Sequence, residues 1–287
     1  MSPKIGIGIA TYNRCRSLES CVCALRRLTP EPYSLVVADD GSTDETAAVC
    51  AQYRVVRITG KNKGIAWNKN RALFFLHQIL ECDVVILFED DCHPNHVDWQ
   101  SDWVAAAQKW SHINFAGEWF RDRVIEGNGT VEEPFLSTSV SGQCTAVSCA
   151  ALSGCGYLDS RFKSYGYEHA EHSDQLVRSG FGGEMRMAKR GEIDPHFYLL
   201  KADFTTVPNT SHWNDESVAS NWATWEKMYG DPPFRYPWRT KDEFREFRKE
   251  MRRGAREMGL PIWRRFMLET RWLRWRANSV HVSTLIV

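Results

Sequence analysis

The sequence predicts an α/β protein built on an open, doubly wound, mostly parallel sheet flanked by helices, with a helical extension at its C-terminal end. Three observations carry this. Strand-like and helix-like segments alternate through the first hundred residues. The longest clean apolar run, Val84–Phe88, has the length of a strand. Short polar clusters fall at the ends of successive predicted strands. Such alternation favours parallel strands joined by helical crossovers, and in such sheets ligands bind beyond the carboxyl ends of the strands.

Each element has its own justification. Ile5–Ala10 reads as a strand and Ser17–Leu28 as a helix. Ser34–Ala38 is a strand, followed by a helix over Asp44–Tyr53 with Ser42 or Thr43 as its cap. Arg54–Ile58 is a strand and Ile65–Leu80 a helix. Val84–Phe88 is uniformly apolar, as a parallel strand covered on both faces requires. Val97–Trp110 reads as a helix and Ile113–Ala116 as a strand, while 121–143 has the Gly, Ser and Thr content of a loop. Glu168–Ser179 is helical, and 182–215 is irregular, with short strands around Phe197 and Phe204. Ser217–Tyr229, Lys241–Met258 and Ile262–Ala277 are helical.

Composition narrows the class. The chain has 287 residues, 43% hydrophobic and 25% charged, which excludes disorder, collagen and coiled coil as overall descriptions. Lys plus Arg equals Asp plus Glu at 36 each, yet residues 239–276 hold 13 basic and 6 acidic residues, so a basic tail follows an acidic body. Such a tail suits an anionic membrane surface or a nucleic acid; it suits equally well a helix packed through its tryptophans with solvated arginines. No apolar run approaches the roughly 20 residues of a membrane helix. The N-terminus lacks the pattern of a signal peptide. Nine cysteines at irregular spacings fit reduced, mostly buried thiols. These features together suggest a cytoplasmic protein, peripheral at a membrane if the tail binds one.

The polar clusters carry the chemistry. Thr11-Tyr12-Asn13-Arg14 follows the first strand, Asp39-Asp40-Gly41-Ser42 the second and Glu89-Asp90-Asp91 the fourth, so three strand ends converge on one crevice. Carboxylates at the end of a buried strand are costly without a cation, and oxygen ligands suit Mg²⁺ or Mn²⁺ shared with phosphates. Each cluster also has a structural reading: an acidic turn, a helix cap or, for Lys69 and Arg71, a solvated helix face.

Thr11-Tyr12-Asn13-Arg14, Val37–Asp44, Asn62–Asn70 and Phe88–Pro94 resemble, in order and spacing, the four opening blocks of family-2 glycosyltransferases with the GT-A fold, the fold of nucleotide-diphospho-sugar transferases. The resemblance covers residues 4–100 well and 145–182 moderately. It implies that Thr11, Tyr12 and Arg14 line a nucleotide pocket, that Asp39 or Asp40 reads the base and ribose, and that Lys69 faces the nucleotide or its diphosphate. Glu89, Asp90 and Asp91 occupy the DxD-type site; Asp91 is the foremost metal ligand, with Glu89 beside it and Asp90 holding sugar or metal. Leu152–Phe162 resembles the Gly-Gly-Phe-Asp segment, and Glu168–Phe181 the acidic block after it. There the chain departs from the pattern: His169 stands where the family carries its catalytic Asp, and Glu171 replaces the next acid. The base that takes the acceptor proton is therefore Glu168, His169 or Glu171, whereas His169 and His172 also read as structural histidines. His212 is a late metal ligand by the same resemblance.

The expectation is a Mn²⁺- or Mg²⁺-dependent, inverting glycosyltransferase using a nucleotide sugar, foremost a UDP-sugar, and a hydroxyl acceptor on a glycan, lipid-linked glycan, protein or modified nucleic acid. Residues 1–230 would form the catalytic domain, with 1–100 binding the donor and 101–230 the acceptor, and 231–287 the basic extension. The alternatives are a catalytically weak binding protein for nucleotide sugars or nucleic acid on the same scaffold, and a nucleotidyltransferase. The latter is disfavoured because no Gly-rich basic loop follows the first strand.

Overall fold

The computed structural model describes residues 2–187, 192–207, 215–228, 231 and 234–261. The chain opens with β1 (Ile5–Thr11), α1 (Cys15–Leu28), β2 (Tyr33–Asp39), α2 (Thr46–Gln52), β3 (Val56–Thr59), α3 (Ile65–Phe74) and β4 (Val84–Glu89). It continues through β5 (Cys92–Pro94), α4 (Trp99–Trp110), β6 (His112–Ala116), β7 (Val124–Glu126), β8 (Phe135–Ser137) and β9 (Cys144–Ser148). The remaining elements are α5 (Cys149–Cys155), α6 (Glu168–Arg178), β10 (Gly183–Met187), β11 (Ile193–Lys201), β12 (Phe204–Thr206), α7 (Asp215–Glu226) and α8 (Lys241–Glu257).

One sheet runs in the order β3-β2-β1-β4-β9-β6-β11-β8-β7, with β10 on β11; β12 and β5 form a separate pair. The first four strands are parallel. Strand β9 lies antiparallel between β4 and β6, and β11 returns parallel to β6. Register sets Thr11 beside Asp39 and Ala10 beside Glu89, so the polar clusters of three neighbouring strands share one edge.

The sheet is buried on both faces. In β4, Val84, Ile86 and Phe88 enter the core beneath α1 and α4, while Val85 and Leu87 enter the core beneath α3, α5 and α8. The Ile-Gly alternation of β1 follows from the same layering. Ile7 and Ile9 fill one core, whereas a Cβ on Gly8 would lie 2.8 Å from the Cβ of Ala72, so the glycine lets α3 approach the strand.

The structure departs from the sequence reading where pairing is non-local. The segment 121–143 contributes β7 and β8, and 182–215 contains the nine-residue β11 rather than a short strand around Phe197. Pro195 and Asp194 hide the strand pattern of β11, which its neighbours β6, β8 and β10 impose. Helix α5 is too short to show a period. Neither Ser42 nor Thr43 caps α2. Glu45 takes that position without a side-chain bond, while Asp44, just before it, accepts from the Thr46 amide through Oδ1 at 3.1 Å and Ser42 Oγ donates to Asp39 at 2.5 Å.

Helix α8 is capped by Thr240, whose Oγ accepts from the Glu243 amide at 3.1 Å. Its stripe of Phe247, Met251, Gly254 and Ala255 packs into the core beside Trp67 and Phe75. Glu250 lies within that stripe and holds Arg71 through Oε1 and Oε2, both at 3.0 Å. Arg71 also donates to Asp40 Oδ1 at 2.7 Å and to the Lys61 carbonyl at 2.9 Å. Of the two readings of Arg71, a cation for a diphosphate or a solvated helix face, the second is corrected: its guanidinium is wholly enclosed and shared by β2, α3 and α8.

Removing one partner of a buried ion pair leaves the other charge uncompensated. Glu250→Ala is expected to lower the unfolding free energy by about 3 to 5 kcal/mol, read as a lower urea midpoint. Exchange at the exposed Asp242, on the same helix, should leave the midpoint within about 0.5 kcal/mol of the parent.

Candidate active site

The loop after β1 turns sharply, with Asn13 in the left-handed region at φ 51°. Its side chain accepts from the Thr43 amide at 2.8 Å, and its own amide donates to Ser42 Oγ at 2.8 Å, so the loops after β1 and β2 are laced together. Tyr12 is left 46% exposed at this rim. Thr11 Oγ1 donates to Asp90 Oδ2 at 2.6 Å. Arg14 reaches Asp90 Oδ1 at 3.0 Å and Asp91 Oδ2 at 3.2 Å.

The two acids after β2 have distinct surroundings. Asp39 accepts from the Ser42 amide at 2.9 Å and from Arg57 at 3.0 Å. Asp40 accepts from the amides of Lys63 and Gly64 at 3.0 and 2.8 Å, besides Arg71. Gly64 has φ +94°, and a Cβ there would meet the Lys163 carbonyl oxygen at 1.9 Å, so glycine is required. Asp40 is thus committed to holding the loop before α3.

Lys69 is placed differently from its expected position against the diphosphate. It is 2% exposed and bridges Glu89 Oε1 at 2.6 Å and Glu168 Oε1 at 3.1 Å. Burial alone would push its amine down, but the two carboxylates beside it hold it above the usual lysine value. Burial likewise raises Glu168, yet the Lys69 ammonium, with His169, holds that carboxyl well below the ordinary range. Glu168 Oε2 also accepts from the Gly166 amide at 3.2 Å. His169 stands more open, with Nδ1 3.2 Å from Glu168 Oε1 and Nε2 3.2 Å from the Val140 carbonyl oxygen.

Glu168 and His169 therefore share a cluster with Glu89, but Glu171 does not join it. Its Oε1 is ion-paired with Arg235, on a different side of α6. His212 lies outside the described residues, as do the cluster Thr210–Asn214 and the part of the basic tail beyond residue 261.

The three successive acids Glu89, Asp90 and Asp91 share two cations, Lys69 and Arg14. Burial, opposed by Arg14 and the Thr11 hydroxyl, pushes Asp90 up to about 7. Asp91 is also raised, first by burial and then by the Glu89 carboxylate. Asp91 Oδ1 is buried and has no hydrogen-bond partner among the described residues. Among those residues no three His, Cys, Asp or Glu side chains form a ready-made metal cluster. One or two carboxylates with an unfilled oxygen fit a divalent ion that takes its other ligands from phosphate and water.

Glu250 is the residue that sequence reading missed. Its signal is faint but present: a lone acid inside the apolar stripe of α8. Asn221 was also missed. Its amide donates to three successive carbonyls, Ser164, Tyr165 and Gly166, at 3.1, 3.1 and 2.8 Å, and so pins α7 to the loop that delivers Glu168.

Comparison with known proteins places this geometry. Residues 7–126 match a family model described as glycosyl transferase family 2. No curated protein matches the chain. Among solved structures the fold is similar to that of the mannosyltransferase PcManGT from Pyrobaculum calidifontis in complex with GDP-Man and Mn²⁺. The TM-score is 0.52 at 14% identity, over 90% of this chain and 75% of that one. It is also similar to GalNAc-T7 with UDP, GalNAc and Mn²⁺, with a TM-score of 0.56 at 15% identity, over 87% of this chain but 54% of that one. The fold is GT-A, as the resemblance of the four opening sequence blocks implied.

Beneath the crevice lie two more histidines. His172 Nε2 is 3.3 Å from the Gly156 carbonyl oxygen, and its ring centroid is 6.3 Å from that of His112. Burial pushes His172 down to about 4 and His112 to about 3, so both rings are neutral in the fold. The unfolded chain binds protons on them below roughly pH 6.5 that the fold refuses, so their contribution is full above that pH and lost as pH falls. His172 alone should remove about 2 kcal/mol near pH 5. In urea titrations at about pH 7.5 and about pH 5, the fall in stability is expected to be smaller in His172→Gln than in the parent by roughly this amount.

Proposed function

We propose that this chain, whose residues 7–126 match a family model described as glycosyl transferase family 2, moves a sugar from a nucleotide-sugar donor to a hydroxyl acceptor with inversion at the anomeric carbon. The observation that carries the reading is the convergence at one strand edge of two groups. One is Asp91, with its unfilled oxygen beside Asp90 and Arg14; the other is the Glu168–His169 pair across Lys69 and Glu89. The GT-A structures that hold nucleotides and Mn²⁺ support the same donor chemistry. The donor to test first is a UDP-sugar, with a GDP-sugar beside it.

In this reading Thr11, Tyr12 and Asp39 line the nucleotide. Asp91, with Glu89 and Asp90 near it, would hold Mn²⁺ or Mg²⁺, and the bound ion would neutralise charge on the leaving diphosphate. Arg14 already supplies positive charge at the same carboxylates and would pair with phosphate. Lys69 fixes Glu89 and Glu168 and leaves the diphosphate to other groups.

His169 is the base. Its Nδ1–H donates to Glu168, which sets the tautomer and leaves Nε2 to accept a proton. In the structure Nε2 faces the Val140 carbonyl oxygen at 3.2 Å, so the imidazole must turn from that oxygen for its bare Nε2 to meet the acceptor hydroxyl. As its oxygen bonds to the anomeric carbon, its proton passes to Nε2 and the bond to the diphosphate breaks with its electron pair. Glu168 then faces an imidazolium, which its charge stabilises. This assigns Glu171 a place outside the chemistry.

Two measurements test the reading. Asp91→Ala is expected to abolish Mn²⁺-dependent binding of UDP or GDP in titration calorimetry; unchanged affinity would remove the metal assignment. His169→Ala should keep nucleotide affinity and slow nucleotide release from the donor sugar by at least ~10²-fold. Full turnover in that variant would place the base elsewhere.

A further inference from the structure

Helix α6 has a second polar face that the proposed chemistry does not use. Glu171, Asp174, Gln175 and Arg178 recur at helical spacing and line one wall of a groove of about 660 Å³. The opposite wall is α7, which presents Trp222 and Trp225. Trp222 is 47% exposed, a large apolar surface to leave in water. Its ring lies 5.7 Å from that of Trp225 and 5.3 Å from that of Tyr167, the residue immediately before Glu168. The aromatic wall therefore begins at the start of α6, beside the proposed base, and the polar stripe runs away from it for roughly 10 Å at 1.5 Å per residue.

The polar wall is built for neutral, hydroxyl-rich chemistry. Glu171 pairs with Arg235, Asp174 with Arg178 and Asp231 with Arg161, which leaves Glu226 as the one lining carboxylate without an ion pair among the described residues. A free cation would find little uncompensated charge there. Yet Glu171 Oε2, on a side chain 2% exposed, lacks a hydrogen-bond partner among the described residues. An unfilled buried acceptor costs free energy unless a donor arrives. A sugar ring supplies both complements: hydroxyl donors for the carboxylates and carboxamide, and a C–H face for an indole.

We infer that the groove between α6 and α7 is a saccharide-binding site that holds the acceptor chain beyond the unit that reacts. The assignment to an acceptor rests on the glycosyl-transfer reading above; the assignment to a saccharide rests on the groove itself. The site implies a glycan acceptor rather than a lone small alcohol.

The test is binding, without donor or metal. The full chain is titrated with a panel of short neutral oligosaccharides (cello-, malto-, manno- and chito-series), with contacts read by saturation-transfer NMR and affinity by calorimetry. At least one series should bind, and Trp222→Ala should weaken it roughly tenfold while circular dichroism and melting temperature stay at parent values. Glu171→Gln should weaken the same ligand. Binding by no member of the panel, or parent-like affinity in Trp222→Ala, overturns the proposal. Mn²⁺-dependent UDP and GDP binding, measured in parallel, reports on the donor crevice alone. Its survival in Trp222→Ala beside weakened saccharide binding is the expected pattern. Its absence from the parent, with Trp222-dependent saccharide binding intact, would count against glycosyl transfer and leave the groove standing as a saccharide site.

Discussion

Two buried cations on one helix hold this structure together. Lys69 and Arg71 both sit in α3 and are all but excluded from solvent, so each must be paired or its burial is prohibitively costly. Arg71 draws the end of β2, through Asp40, onto Glu250 of α8. Lys69 draws the end of β4, through Glu89, onto Glu168 at the start of α6. One helix thus joins the four places where chain segments distant in sequence must meet at the crevice. The glycines of β1 let that helix approach closely enough to do so.

The same bookkeeping of charge explains where the protein is left unsatisfied. Lys69 and Arg71 are saturated by carboxylates, and among the described residues Arg14 is the cation paired with both Asp90 and Asp91. The acids after β4 therefore exceed the cations near them, their carboxyls are pushed up, and one buried oxygen of Asp91 has no donor among the described residues. A fold that carries such a deficit is less stable than one without it, and a ligand that brings positive charge recovers the difference. The deficit lies at the ends of parallel strands, where an open sheet binds its ligands.

Helix α6 borders both the charge cluster and the groove because its faces differ. Its first turn enters the charge cluster, and its later turns border the groove under Trp222. Tyr167 leads into it at φ 66°, a conformation a tyrosine holds only when its surroundings enforce it. Asn221 supplies part of that enforcement through its three carbonyl contacts. The direction in which Glu168 and His169 point is thus fixed from α7, more than 50 residues later in the chain.

What the sequence determined by itself is local. Period and apolar runs located β1, β2, β3, β4 and the helices between them, because parallel strands covered on both faces must be apolar throughout. The polar blocks then marked the strand ends, and register placed them side by side. Tertiary structure decided what each charge does. A lysine and an arginine two positions apart on a helix read as cations for a diphosphate or as a solvated face, and nothing in their neighbourhood reveals partners 99 and 179 residues away. Strand β11 likewise exists because β6, β8 and β10 offer it hydrogen bonds, not because its own residues alternate. Glu168, His169 and Glu171 are near neighbours in sequence, and only packing sends the first two to the crevice and the third to Arg235. Sequence therefore fixes which elements form, through period and burial, whereas the pairing of buried charges, which is a property of the assembled chain, fixes which residues act.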